Sequence, residues 1–265
     1  MGAVEARASC QLAEDFYVDA LRRLQDTGIP FLLGGSYAFS YYAHVPRDTK
    51  DIDVFVRPED CSRVLESFER LGYLVEVRFP HWLGKIHRGE HFMDVIFNSG
   101  NGLARVDDLW FAHAPVTEVL GLLVRLSPAE EMIWSKAFIQ ERERFDGADV
   151  LHLLRAVGTS LDWPRLMMRF GDRWPVLFSH LVLFRFVYPD RWQSIPGWVT
   201  DELVRRLREG PDNADAGVCY GTLLSREQYL SDLERLGYRD GREEPHGPMT
   251  REQIEIWTAG IGRTK

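Results

Sequence analysis

The chain has 265 residues, 45% hydrophobic and 27% charged, and its 32 basic and 40 acidic side chains give a net charge of −8. That composition excludes a disordered or fibrous polymer, and the acidic balance argues against a generic nucleic-acid coat while leaving room for a local basic groove. Apolar runs stay short of the roughly 18 residues a membrane helix needs, the start lacks an apolar signal core, and three dispersed cysteines, Cys10, Cys61 and Cys219, offer neither a disulfide framework nor a CxxC knuckle, so the chain reads as cytoplasmic, with no membrane partner.

Over residues 11–24 the apolar positions Leu12, Phe16, Ala20, Leu21 and Leu24 recur at helical spacing, and Asp26-Thr27-Gly28 supplies a stop. Residues 29–33 predict a short strand closed by Gly34-Gly35-Ser36, and the following YAFSYYAH predicts a helix. Residues 51–56 alternate as a strand, 58–71 form an amphipathic helix, and three extended stretches follow at 73–79, 83–87 and 91–97. Helices and strands mix without a regular βαβ beat, so the fold class is α+β with a mixed sheet and flanking helices, followed by a helical domain.

Residues 116–126 predict one more extended run. It ends at Ser127-Pro128, a helix N-cap followed by proline at the first helical position, with Glu130 and Glu131 in the first turn. Helices are then expected at 129–142, 148–157, 163–170 with Asp162 as cap, 174–187 and 199–208. Residues 209–216 read as a loop and 226–236 as a last helix before a polar tail. The organisation is therefore a first domain over 1–127, a helical domain over 128–210 and a C-terminal helix and tail over 211–265.

The chemistry concentrates between Gly34 and Val56. Strand side chains alternate faces, so Asp51 and Asp53 project from one side, about 6 to 7 Å apart, while Ile52, Val54 and Val56 face the core. Two carboxylates so close repel unless one is protonated, a basic side chain intervenes or a divalent cation bridges them. Mg²⁺ uses such ligands together with substrate phosphates. Asp94 lies within HFMDVIF, whose apolar neighbours predict a strand buried on both faces, where a lone carboxylate costs several kcal/mol. Beside residues 51–56, Asp94 would complete a group able to hold two metals about 3.5 to 4 Å apart. The structural alternative pairs Asp94 with an arginine and makes Asp51 or Asp53 a turn cap; the glycine turn and the third acid favour the chemical reading. Backbone at Gly34-Gly35-Ser36 lets a ligand approach closely, and N–H groups at the start of the next helix favour phosphate. No GxxxxGK loop occurs.

The order Gly-Gly-Ser, then Arg47-x-Thr49-x-Asp51-Ile52-Asp53-Val54, then Asp94 in an apolar strand resembles the nucleotidyltransferase superfamily of the DNA polymerase β type. The R-x-T-x-D-I-D form is similar to the nucleotidyltransferase toxins of bacterial toxin–antitoxin and abortive-infection systems and to uncharacterised bacterial nucleotidyltransferase-family proteins; aminoglycoside nucleotidyltransferases share the GG and D-x-D core. SPAEEMIWSKAFIQERERFDGADVLHLL resembles the helices that follow in the toxins. The resemblance implies a nucleotidyltransferase domain over 1–127, with Asp51, Asp53 and Asp94 as catalytic metal ligands, Asp94 serving alternatively as base. It further implies that Gly34, Gly35, Ser36, Arg47, Thr49, Lys136 and Asp149 bind the nucleotide, with Lys136 on the triphosphate and Asp149 orienting it. Two Mg²⁺ ions, an NTP and an acceptor follow, the acceptor being a tRNA 3′ end, a protein or a small molecule, with an antitoxin as a further partner.

Read without the resemblance, Lys136 is a surface helix residue paired with Gln140 or Glu131, and Arg142, Arg144 and Asp146 form a solvated helix end. His81, His87 and His91 match no zinc spacing, while Lys85 and His87 are candidates to meet phosphate or acceptor. The leading function is Mg²⁺-dependent transfer of an NMP to a hydroxyl with release of pyrophosphate. The alternatives are a catalytically silent binding protein of the same fold and an aminoglycoside-type antibiotic nucleotidyltransferase.

Overall fold

A computed structural model describes residues 3–47, 49–210 and 217–261, with side chains from residue 13 onward. Contacts divide the chain into two units. The first comprises Met1–Tyr41, Val45–Ser99 and Arg105–Pro128, and the second Tyr42–His44, Gly100–Ala104 and Ala129–Lys265.

The first unit begins with α1 (Ala3–Asp26), β1 (Leu32–Leu33) and α2 (Gly35–Ala43). It continues with β2 (Asp51–Phe55), α3 (Pro58–Arg70), β3 (Leu74–Phe79), β4 (Leu83–Arg88) and β5 (His91–Ile96). The five strands form one mixed sheet in the order β1-β2-β5-β4-β3, in which β2 and β5 run parallel and the other neighbours antiparallel. Ile52, Val54, Ile86, Met93 and Val95 are all without exposed surface and share the sheet's buried face. Tyr17, Ala20, Leu21 and Leu24 of α1 and Val64, Leu65 and Phe68 of α3 complete the core, α1 packing on β5 and α3 on β3 and β4. Each fully buried side chain of this size contributes about 1.5 to 3 kcal/mol, so the core fixes the strand register that places the acids.

Two elements close the unit: α4 (Asp108–Ala112), and a hairpin of β6 (Val116–Val119) and β7 (Leu122–Arg125). The sequence reading misses α4, although Asp107 caps it by accepting from the backbone N–H groups of Leu109 and Trp110. It also takes 116–126 as one extended run, where the chain turns back at Leu120 (φ 53°) and Gly121 (φ 71°). Two successive positive φ values make the tight primed turn that matches strand twist, and the glycine was the available signal.

The second unit contains α5 (Ala129–Ala137), α6 (Gly147–Val157), α7 (Trp163–Phe170), α8 (Trp174–Val187) and α9 (Gly197–Glu209). Asp162 caps α7, accepting from Arg165 N–H at 3.0 Å. Ser127 does not cap α5: its hydroxyl is buried without a hydrogen-bond partner. The helix expected through 142 stops at Ala137: beyond it Gln140 N–H donates to Leu224 O at 3.1 Å and Glu141 N–H to Arg144 O at 2.8 Å, outside any helical ladder, and the Glu141 carboxylate accepts from the Ser225 hydroxyl at 2.5 Å and from Arg226 N–H at 3.0 Å. Of the loop expected over 209–216, residues 211–216 lie outside the described residues.

The C-terminal segment is more than a helix and a polar tail. β8 (Val218–Cys219) pairs in parallel with β9 (Arg239–Asp240) around α10 (Leu230–Leu236), and α11 (Arg251–Ala259) follows behind a reciprocal Thr250–Gln253 cap. Among the described residues no helix is long and apolar enough to cross a membrane.

Candidate active site

Strand β2 alternates half-buried Asp51, Asp53 and Phe55 with buried Ile52 and Val54. Its parallel neighbour β5 places Asp94 directly beside Asp53, and Phe92 beside Asp51. Residues opposite one another on adjacent strands share a face, so all three acids emerge from the same side of the sheet. One oxygen from each lies within 4.8 Å of the other two, making this a group able to hold a metal. The donors are hard carboxylate oxygens, half-buried, with no thiolate or imidazole in the group, which suits Mg²⁺ or Mn²⁺ over zinc.

The environment of Asp94 differs from the expected one. On β5 only Met93 and Val95 are buried, while Phe92, Asp94 and Ile96 are half-buried, so the strand has one core face rather than two. The Asp94 carboxylate is not left alone either. Lys85, opposite it on β4, donates from Nζ to Asp94 Oδ1 at 2.6 Å. Burial pushes the Asp94 carboxyl above the usual carboxylate range and the Asp51 charge adds to this, while Lys85 and His87 oppose it. The cation is thus a lysine, where sequence reasoning weighed an arginine as the structural partner. His87 sits 3.6 Å from the Glu76 carboxylate.

Thr49 holds Asp51 from the loop before β2, its hydroxyl lying 2.9 Å from Asp51 Oδ1 and donating to Asp51 O at 2.8 Å. Arg47, exposed, stacks its guanidinium 4.0 Å from the centre of the Phe39 ring. Gly34 N–H donates to Asp53 O at 2.9 Å and so ties the glycine turn to β2. Gly35, at φ 53°, opens α2, and a Cβ added there would fall 1.7 Å from Asp53 Oδ2. A Cβ on Gly34 would fall 2.2 Å from the Phe55 ring. The sequence suggests glycine so that phosphate can approach; the structure adds that the Asp53 carboxylate fills the place of a Gly35 side chain. Ser36 is half-buried in the first turn of α2.

Lys136 and Asp149 belong to the second unit, where they meet. Lys136 Nζ lies 2.8 Å from Asp149 Oδ2 and 2.9 Å from Asp146 Oδ2. Lys136 therefore pairs with neither Gln140 nor Glu131, and its side chain is 18% exposed rather than solvated. Asp146 likewise is no solvated helix end, being buried between Lys136 and Arg144. Burial disfavours its charge, yet the bonds from Arg144 and the Lys136 charge outweigh that and bring its pKa down to about 2. The same unit holds a network the sequence reading leaves unassigned. Glu131, with no exposed surface, receives Arg165 at 2.5 Å and Arg169 at 3.1 Å, and Glu130 receives Arg165 at 2.6 Å.

No protein-family model and no curated protein sequence matches the chain. Among solved structures it is similar to the antibiotic-resistance factor ANT(2'')-Ia in solution, at 19% identity over 64% of this chain and 97% of that one, with a TM-score of 0.44. It is similar to the lincosamide antibiotic adenylyltransferase LnuA bound to lincomycin, at 17% identity over 53% and 94% of the two chains, TM-score 0.38. A third is an antigenic nucleotidyltransferase-like protein from Paracoccidioides brasiliensis, at 15% identity over 64% and 90%, TM-score 0.38.

Proposed function

We propose that the chain is a Mg²⁺-dependent nucleotidyltransferase that moves an NMP from an NTP to an acceptor hydroxyl. The observation that carries the reading is the gathering of Asp51, Asp53 and Asp94, oxygens within 4.8 Å, next to a glycine turn that opens a helix. A phosphate gripped at one end and a cation held at the other are what transfer from a triphosphate requires. The motif resemblance points the same way.

In this reading Asp51 and Asp53 would hold the metal, with Thr49 fixing the Asp51 carboxylate and Gly35 leaving room for that of Asp53. When bound, Mg²⁺ supplies charge neutralisation on the phosphates and eases ionisation of the hydroxyl. The backbone N–H groups of the turn at Gly34-Gly35-Ser36 receive phosphate oxygens. The acceptor oxygen bonds to the α-phosphorus, the α–β anhydride bond breaks, pyrophosphate leaves, and the hydroxyl proton passes to Asp94.

The test is to incubate the full chain with each α-labelled NTP and Mg²⁺, in separate arms containing total RNA, a protein lysate and a set of polyhydroxylated antibiotics. Label is expected in one acceptor class together with released pyrophosphate, both lost on chelation and in Asp53→Asn. Label on tRNA 3′ ends would indicate a toxin-like role with an antitoxin partner; label on an antibiotic would indicate resistance chemistry. Absence of pyrophosphate and of labelled product with every NTP in every arm overturns the reading.

A further inference from the structure

We infer that Lys85 occupies the place of a second metal ion, so that the acidic group takes up one divalent cation rather than two. The inference rests on the nucleotidyltransferase reading above and concerns how its charges are arranged.

Asp53, Asp94 and Lys85 stand opposite one another on three adjacent strands, β2, β5 and β4, and so form a row across one face of the sheet. The Lys85 ammonium is fixed there by two contacts. It lies 2.6 Å from Asp94 Oδ1, a short charge-assisted hydrogen bond, and 4.1 Å from the centre of the Phe92 ring, whose face attracts cations. The two side chains are 19% and 14% exposed, so this is not a loose surface bridge. The neighbouring acid on the far side, Glu76, stands opposite Lys85 on β3 but is engaged by Arg78 at 3.2 Å and approached by His87 at 3.6 Å. Among the described residues, the ion pair of Lys85 is with Asp94.

A carboxylate that already accepts from an ammonium is a poor ligand for a further dication. An ion placed on Asp94 would stand within a few ångströms of a fixed like charge, in surroundings that screen it weakly. Among the described residues Lys85 forms its ion pair with Asp94 and with neither Asp51 nor Asp53, which would hold the single cation. The ammonium then supplies positive charge at the Asp94 end whether or not metal is plentiful.

The full chain, with inorganic tripolyphosphate present, is titrated with Mn²⁺; bound ions are counted by equilibrium dialysis and observed by electron paramagnetic resonance. Wild type is expected to bind one ion per chain with the spectrum of an isolated Mn²⁺. Lys85→Met, shown to be folded by circular dichroism, is expected to bind two, with the exchange coupling of ions about 3.5 to 4 Å apart. Lys85→Arg, which keeps the charge, is expected to bind one. A coupled pair in wild type, or a single ion in folded Lys85→Met, overturns the inference while leaving the metal site standing. No binding above that of Asp53→Asn in any variant removes the metal site itself, and this inference with it.

Discussion

In the second unit Glu131 is enclosed between Arg165 and Arg169, and Asp146 and Asp149 close on Lys136, with Arg144 as a further cation on Asp146. In the first unit Asp51, Asp53 and Asp94 are brought within 4.8 Å of one another, Asp94 on Lys85 and Asp51 on the Thr49 hydroxyl. Both arrangements gather acids, but with opposite consequences. Where carboxylates are interleaved with guanidinium and ammonium groups, the cluster ties helices together and removing one member strands a buried charge. Where carboxylates converge, any repulsion that Lys85 leaves uncompensated is one that, in the proposed function, a bound cation would relieve. In the proposed function, the first arrangement would serve stability and the second binding.

The largest effect expected from this contrast is in Asp53→Asn. Transfer should fall on the order of a thousand-fold, equivalent to about 4 kcal/mol of transition-state stabilisation, with thermal stability unchanged or slightly raised as repulsion falls. Labelled-NTP turnover and a melting curve on one preparation check both halves. Glu131→Ala should do the reverse, lowering stability by about 3 to 5 kcal/mol in urea denaturation, because two guanidinium groups lose a partner that has no exposed surface. A loss below about 1 kcal/mol in Glu131→Ala, or an unfolded Asp53→Asn, would break the contrast.

How much of this is readable beforehand depends on the range of the interaction. Asp51 and Asp53 on one face follow from the period of two in a strand, and the α+β class follows from the order of elements. That Asp94 lies beside Asp53 needs the parallel pairing of β2 with β5, which nothing local specifies; the apolar flanks of Asp94 suggested the strand but overstated its burial. The Lys85 partnership is a matter of register across the β4–β5 turn. For Lys136 the sequence offers a triphosphate contact or a surface helix position, and its pairing with Asp146 and Asp149 depends on how the chain returns after α5, where Glu141 is held by Ser225 and Arg226, more than eighty residues away in sequence. Local propensity carries no trace of such a contact.

Gly35→Ala sharpens the comparison from the glycine side. The added Cβ would fall 1.7 Å from Asp53 Oδ2 at φ 53°, so the carboxylate must move and the backbone is strained. Stability is expected to drop by about 1 to 2 kcal/mol. Activity per folded molecule should fall by roughly a hundred-fold, since displacing a reacting group by about 1 Å costs that much. A turn with a purely structural role would show the first effect without the second, and dividing turnover by the folded fraction separates them.

The smallest expected effect concerns acid, and its sign follows from Asp146. Its folded pKa of about 2 lies below the ordinary 3.8 because Arg144 and Lys136 outweigh the penalty of burial. A depressed carboxylate pKa adds stability that is fully present above the unfolded value and is lost as pH falls through the folded one. The window therefore runs from about pH 4 down to about pH 2, and the full contribution is about 2 kcal/mol, of which about half should be gone by pH 3. Asp94 acts in the opposite sense, because its carboxyl is raised by burial and its charge opposes folding until acid removes it. Comparing wild type with Asp146→Asn at pH 6 and pH 3 cancels that second contribution. The stability gap between the two proteins should narrow by about 1 kcal/mol at pH 3, and a gap that stays constant would show that ionisation of Asp146 between Lys136 and Arg144 contributes no net stability.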